Sequence, residues 1–484
     1  MIKMKLKFTE LNPHVSKKTI SIAVLIILFT IIFAASILIR IYLFDNTSLP
    51  GKEAHFNVNT AKDLSSFKKS FVVGEMAVQE LLWPLLIASV SLLFRIPQEI
   101  SIIMLSFLFG IASIILIYFI IEKMNFKKKN MAMAFFLISP VTIWLFSTFS
   151  KFIIPFFFSL LAIYYLLSDK KFLAILAVAL VSLFGLVSSL SVLALCFLAY
   201  KKGFWKWFIQ AFSISFAINI GLYILSPYIG IFNFNFSSIF SIFFALSEVG
   251  VNMFAFLLGF MGIFMTWKER KERKELFLVY LVFVLLFIFS ITNKDFVFFF
   301  NFILIFLASI GFLKLLERDW TSDLIKKLTI LILVIGLVIP LIFMPIRIAY
   351  LQPDDSLIES LTFLKSQEDG KVFGVKENGF WIRSFSDKEP FIDEFKAQVK
   401  PEIDEKAMSL FYERNIDSLV NTFNEEGIKY VLVDSKMRHL FRTDDEGIML
   451  LLTRSFKFTK IYDKDNIQIW KLSEETIESV NRNL

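Results

Sequence analysis

Apolar residues run in long blocks from residue 19 to residue 348, broken by short polar or basic stretches. A block of 18 or more apolar residues is long enough to cross a bilayer as a helix. In lipid a helix satisfies its own backbone hydrogen bonds, so these blocks are read as helices. The pattern predicts about eleven spans. They fall at 19–44, 98–121, 131–146, 152–167, two short ones within 171–200, then 204–225, 249–267, 276–291, 296–316 and 328–348. One long helix over 171–200 is the alternative there. The stretch 71–94 carries Glu75, Glu80 and Pro84 and reads as an interfacial helix at its start.

The pattern changes at Leu351-Gln352-Pro353. Beyond it, short apolar runs alternate with amphipathic helical stretches, as in a soluble α/β domain over 351–484. Strands are expected at 371–375, 389–392, 429–433 and 467–471. The helix in DSLVNTFNEEG is expected to stop at Gly427. The fold class is thus a polytopic α-helical membrane domain, 1–350, followed by a small extracytoplasmic α/β domain.

Composition supports this reading. The chain has 484 residues, 56% of them hydrophobic, with 60 Phe, and its mean hydropathy is +0.68. The net charge of +8 does not indicate a nucleic-acid partner, because Lys and Arg gather at span ends, where they set orientation. Lys3, Lys5, Lys7, Lys17 and Lys18 place the N-terminus in the cytoplasm. The basic runs at 123–130 and 268–275 then fall on the same side, and the C-terminal domain falls outside. A multi-pass plasma-membrane protein is expected. The first apolar block is longer than a signal-peptide core and is read as a retained span. Cys196, the single cysteine, allows no disulfide within the chain.

Several chemistries are excluded. Three histidines and one cysteine give no zinc pattern, and no phosphate-loop or dinucleotide fingerprint is present. Span interiors are nearly free of charge, which argues against an ion-coupled transporter. Chemistry concentrates instead in the polar connection RIYLFDNTSLPGKEAHFNVNTAKD, with Arg40, Asp45, Lys52, Glu53, His55 and Asp63. Pro50-Gly51 marks a turn, and a helix is predicted from Lys52 to Leu64. A carboxylate there suits a general base taking a proton from a hydroxyl. Arg40 suits phosphate. An ordinary solvated loop, with Arg40 snorkelling to the interface, satisfies the same composition. Glu248 reads either as part of this outer surface or as a span-end charge.

The segment LPGKEAHFNVNTAKDL resembles the first-loop signature of the GT-C superfamily of membrane glycosyltransferases, with Glu53 in the place of the catalytic acid and His55 and Phe56 at the aromatic positions. FLISPVTIWLFSTFSKFIIPFFFSLLAIYYLL resembles the region around spans three and four. Ser247-Glu248 resembles an outer-loop element of oligosaccharyltransferase catalytic subunits of archaeal type. KVFGVKENGFWIRSFSDKEPFIDE resembles the start of their C-terminal domain. There the family carries Trp-Trp-Asp-Tyr-Gly, and this chain has Val375-Lys376-Glu377-Asn378-Gly379. Only the glycine remains, so the resemblance does not extend to recognition of a protein sequon. Ser150-Lys151 and Asn301 replace an acid and an arginine common in the family.

The resemblance implies transfer of a sugar from a polyprenyl-phosphate-linked donor to an acceptor of unknown class, on the extracytoplasmic face and with inversion. Glu53 would be the base, and Arg40, Asp45, His55, Glu248 and Gly379 would bind substrate. The family also implies a divalent metal, but the motifs here do not supply the paired acids to hold one. The rival readings are a non-catalytic relative that binds lipid or scaffolds an assembly, and a transporter of lipid-linked sugars.

Overall fold

The computed structural model describes residues 17–44, 49–66, 78–124, 126, 129–199, 204–225, 251–267, 274–351, 353–443 and 445–473. The chain divides into two compact units. One comprises Met1–Pro50 and Thr60–Ala349, the other Gly51–Asn59 and Tyr350–Leu484.

The helices run, in order, α1 (Lys17–Phe44), α2 (Gly51–Ser65), α3 (Val78–Phe94), α4 (Gln98–Lys123), α5 (Lys129–Ile138), α6 (Pro140–Ser147), α7 (Ile153–Leu167), α8 (Lys171–Ser182), α9 (Leu186–Cys196), α10 (Phe204–Leu225), α11 (Met253–Thr266), α12 (Lys274–Thr292), α13 (Val297–Glu317) and α14 (Asp323–Ala349). Five are long and apolar enough to cross a membrane, within α1, α4, α10, α13 and α14, and α5 with α6 makes a sixth if the bent pair is one span. The remaining apolar helices of this unit carry apolar stretches of only 10–17 residues. Length and composition therefore support five or six spans among the described residues rather than eleven.

Two breaks explain much of the difference. The expected span at 131–146 bends by 60° between α5 and α6. Pro140 starts α6 and cannot continue the hydrogen-bond ladder of α5. Over 171–200 the chain forms two helices, of 12 and 11 residues, separated at Gly185 with φ +96°. Each is about 17 Å long, short of the ~30 Å hydrocarbon thickness. The stretch 71–94 is described from Val78, as the continuous helix α3.

Ion pairs fix the two ends of the bundle. Lys18 and Lys129 both reach Glu122, at 2.5 and 2.9 Å, so the start of α1 meets the end of α4. Lys62 pairs with Glu99 at 2.7 Å, and Gln98 donates to Ser65, so the start of α4 lies at the opposite end. Within the bundle, α11 and α13 cross backbone to backbone. A Cβ on Gly262 would lie 2.3 Å from the Leu307 carbonyl, and one on Gly311 would lie 2.1 Å from that of Leu258. Small residues allow this approach where no hydrophobic effect drives helices together.

The second unit contains α15 (Asp355–Lys365), β1 (Lys371–Phe373), α16 (Gly379–Ser386), α17 (Glu394–Val399), α18 (Pro401–Phe411), α19 (Ile416–Glu426), β2 (Ile428–Val433), α20 (Ser435–Arg438), α21 (Gly447–Arg454), β3 (Phe458–Lys464) and β4 (Ile467–Leu472). The sheet order is β1-β2-β4-β3. β1 and β2 are parallel, and β4 is antiparallel to both β2 and β3. Side chains alternate across β2. Val431 and Val433 join Leu410, Phe423 and Leu452 on one face. Tyr430 and Leu432 join Leu361, Trp381 and Ile469 on the other. The sheet is therefore covered by helices on both faces. The strand expected at 389–392 is instead one bridge, Val372 with Pro390. Proline has no N–H to extend a ladder. Glu389 and Phe391 make the two flanking hydrogen bonds with Val372.

Candidate functional site

Helix α2 starts where Pro50 fixes an extended backbone and Gly51 turns with φ +76°. Glu53 lies in its first turn, where a carboxylate is favoured by the helix dipole. Residues Gly51–Asn59 group with the C-terminal unit, and the side chains show why. Lys52 pairs with Glu394 at 2.5 Å. His55 Nδ1 lies 2.9 Å from Ser384 Oγ, and Asn59 Nδ2 donates to the same hydroxyl at 2.8 Å. The His55 ring meets Trp381 edge-on, with centroids 4.8 Å apart. Phe56 packs between Phe380 and Phe395, at 5.3 Å from each. Lys52, His55, Phe56 and Asn59 thus form one face of α2, seated on α16 and α17. This seating fixes the rotation of the helix and with it the direction of Glu53, which is half-buried.

His55 is accordingly buried among aromatic rings on α16, an environment the loop reading of this stretch does not provide. Gly379 starts α16 in close packing. A Cβ there would lie 2.3 Å from Asp393 Cβ and 2.7 Å from the Ile392 carbonyl. Asp393 caps α17 by accepting from the Lys396 N–H at 2.6 Å. Burial holds its carboxyl above the usual aspartate range, opposed by that hydrogen bond and by the charges of Lys396 and Arg383. Asn378 donates to Asp434 at 2.8 Å in the core. The stretch 375–379 is thus occupied with contacts inside its own unit.

Arg40 lies near the end of α1 and is only 2% exposed, and its Nε has no hydrogen-bond partner among the described residues. It stands two turns beyond Phe33 on the same stripe of the helix. Phe33, Ile37 and Leu38 of α1 face Ile103, Met104 and Phe107 of α4 across an open apolar groove of about 430 Å³. Asn301 and Lys151, which depart from the family pattern, are engaged elsewhere. Asn301 receives a hydrogen bond from Ser139 at the α5–α6 bend, and Lys151 pairs with Glu80 at 2.6 Å. Asp45 and Glu248 lie outside the described residues.

The sequence reading passed over Asn57 and Thr60. Both are buried, at 2% and 1% exposed. Asn57 Nδ2 and Thr60 Oγ1 have no hydrogen-bond partner among the described residues. Such a group costs about 1–3 kcal/mol. With Glu53 they follow the i, i+4, i+7 spacing of one helix face, a signal legible in the sequence once α2 is taken as a helix. Among the described residues no three His, Cys, Asp or Glu side chains converge.

No family model matches the chain, and no curated protein matches it by sequence. Solved structures do match. The oligosaccharyltransferase of Archaeoglobus fulgidus in its apo form superposes with a TM-score of 0.60 at 12% identity, over 93% of this chain and 74% of that one. The same organism's AglB, in complex with an inhibitory peptide and a dolichol-phosphate, gives 0.61 at 12% identity over 95% and 75%. ArnT from Cupriavidus metallidurans bound to undecaprenyl phosphate gives 0.54 at 12% identity over 95% and 98%. The arabinofuranosyltransferase AftD from Mycobacteria also matches, at 0.54 and 12% identity, over 92% of this chain and 40% of its own. At about 12% identity these likenesses show that this chain shares the overall fold of those proteins.

Proposed function

We propose that the protein transfers a sugar from a polyprenyl-phosphate-linked donor to an acceptor hydroxyl. The observation that carries this reading is the likeness over about 95% of the chain to proteins whose structures hold dolichol-phosphate or undecaprenyl phosphate. Arg40 and the apolar groove between α1 and α4 support it, since a buried guanidinium further along the helix that lines an apolar trough suits a lipid tail with a phosphate head. In the reaction the acceptor oxygen attacks the anomeric carbon. The bond from that carbon to the phosphate oxygen breaks and the lipid phosphate leaves. The acceptor proton passes to Glu53, and the anomeric configuration inverts. Arg40 holds the phosphate as its charge grows.

We assign the end of the bundle that carries Lys18, Lys123 and Lys129 to the cytoplasm, which places transfer on the extracytoplasmic face. The test is Glu53→Gln in membranes supplied with a labelled lipid-linked sugar. Loss of a positioned base lowers the rate by about 10²–10⁴. Full activity of the variant removes Glu53 from the mechanism. No transfer by the native protein from any lipid-linked donor favours a non-catalytic relative.

A further inference from the structure

We infer that Asn57 is a ligand-binding residue of α2, whose side-chain amide donates a hydrogen bond to the same acceptor hydroxyl that gives its proton to Glu53. This rests on the glycosyl-transfer reading above and names the chemistry of the second substrate at that site.

Glu53 and Asn57 are four residues apart on one helix, which sets their Cβ atoms about 5–6 Å apart on a shared face. That face differs from the one seated on α16 and α17. At 100° per residue it lies roughly 130° around the helix from the centre of the row Lys52, His55, Phe56 and Asn59. Those four side chains are committed to Glu394, Ser384 and the aromatic rings. Asn57 is more deeply buried than any of them, yet its amide nitrogen has no acceptor among the described residues. A core asparagine is normally retained with its amide satisfied. Here the donor stands one helical turn from a carboxylate, on the same face of α2.

The pair is complementary to a group that both donates and accepts, as a hydroxyl does. An ionised carboxylate only accepts and the amide nitrogen only donates. A hydroxyl gives its hydrogen to the first and offers a lone pair to the second. A phosphate oxygen has no proton for Glu53 and is repelled by it, so the donor's head group does not suit this face. Asn57 thereby orients a lone pair of the attacking oxygen and leaves its proton directed at Glu53. The occupant is a neutral, hydroxyl-bearing acceptor such as a sugar.

The experiment uses the full-length protein in detergent, a labelled polyprenyl-phosphate sugar as donor and methyl glucoside as the acceptor probe. Asn57→Ala is expected to raise the acceptor KM on the order of five- to tenfold. It should leave the donor KM and the melting temperature unchanged and abolish saturation transfer from protein to methyl glucoside in NMR. Asn57→Leu, which fills the same volume without a donor, carries the test if the alanine variant does not fold. An unchanged acceptor KM overturns the inference. So does a parallel rise of both KM values with a lowered melting temperature, which marks a structural amide satisfied by water. Asn57-dependent binding without any transfer keeps the site and sinks the glycosyl-transfer reading. A native protein that neither binds nor transfers to the probe overturns both.

Discussion

At the scale of single residues, burial decides what a charged or polar group does here. Asp393 is 7% exposed and caps α17. Because burial keeps its carboxyl above the ordinary range of about 3.9, the folded chain holds this proton to higher pH than the unfolded chain does. Its contribution to stability therefore falls as pH rises from the ordinary aspartate range through the folded value, and stays flat above that. Asp393→Asn keeps a side chain that caps well and removes the charge. The variant should melt at or above the native temperature at pH 7, with a shallower loss as pH rises above the ordinary aspartate range. A melting temperature several degrees lower at pH 7 would mean that the charge itself stabilises the cap.

At the scale of elements, α2 is the informative piece. Its first part is held by the C-terminal unit through one hydroxyl, one ion pair and a row of rings. The ion pair is partly exposed and contributes only about 0–1 kcal/mol. The ring row does more, because His55, Phe380 and Trp381 at its centre are buried. Ser384→Ala removes the acceptor that Asn59 uses and the partner of His55 Nδ1. The expected cost is about 1–3 kcal/mol, read as faster amide exchange over 51–59 with the exchange of β2 and β4 unchanged. Uniformly faster exchange through the whole unit would show that Ser384 supports the core rather than the seating of α2.

At the scale of the whole molecule, the bundle is polarised. Lys18, Glu122 and Lys129 meet at one end, and Lys62 and Glu99 at the other. With the first end cytoplasmic, a reporter fused after residue 484 should be extracytoplasmic, and one placed in 268–275 should be cytoplasmic. The same side for both would give the crossings the wrong parity and remove the argument for transfer on the extracytoplasmic face.

The sequence by itself determined the class of each half. Long apolar blocks can only be helices in lipid, and the change of period after 351 marks a sheet domain, because both signals are set by local chemistry. It also determined that Glu53 starts a helix, since Pro50-Gly51 is a turn in any context. Only the tertiary structure decided which apolar blocks form helices long enough to cross, because a bend at Pro140 or Gly185 changes the reach of a run without changing its hydropathy. It also turned His55 into a packing residue and left Asn57 beside Glu53 with an unsatisfied donor. Ser384 and Trp381 lie more than 320 positions from His55, and no local pattern encodes a contact across that separation. The partner of a buried polar group is set by what the fold brings to it.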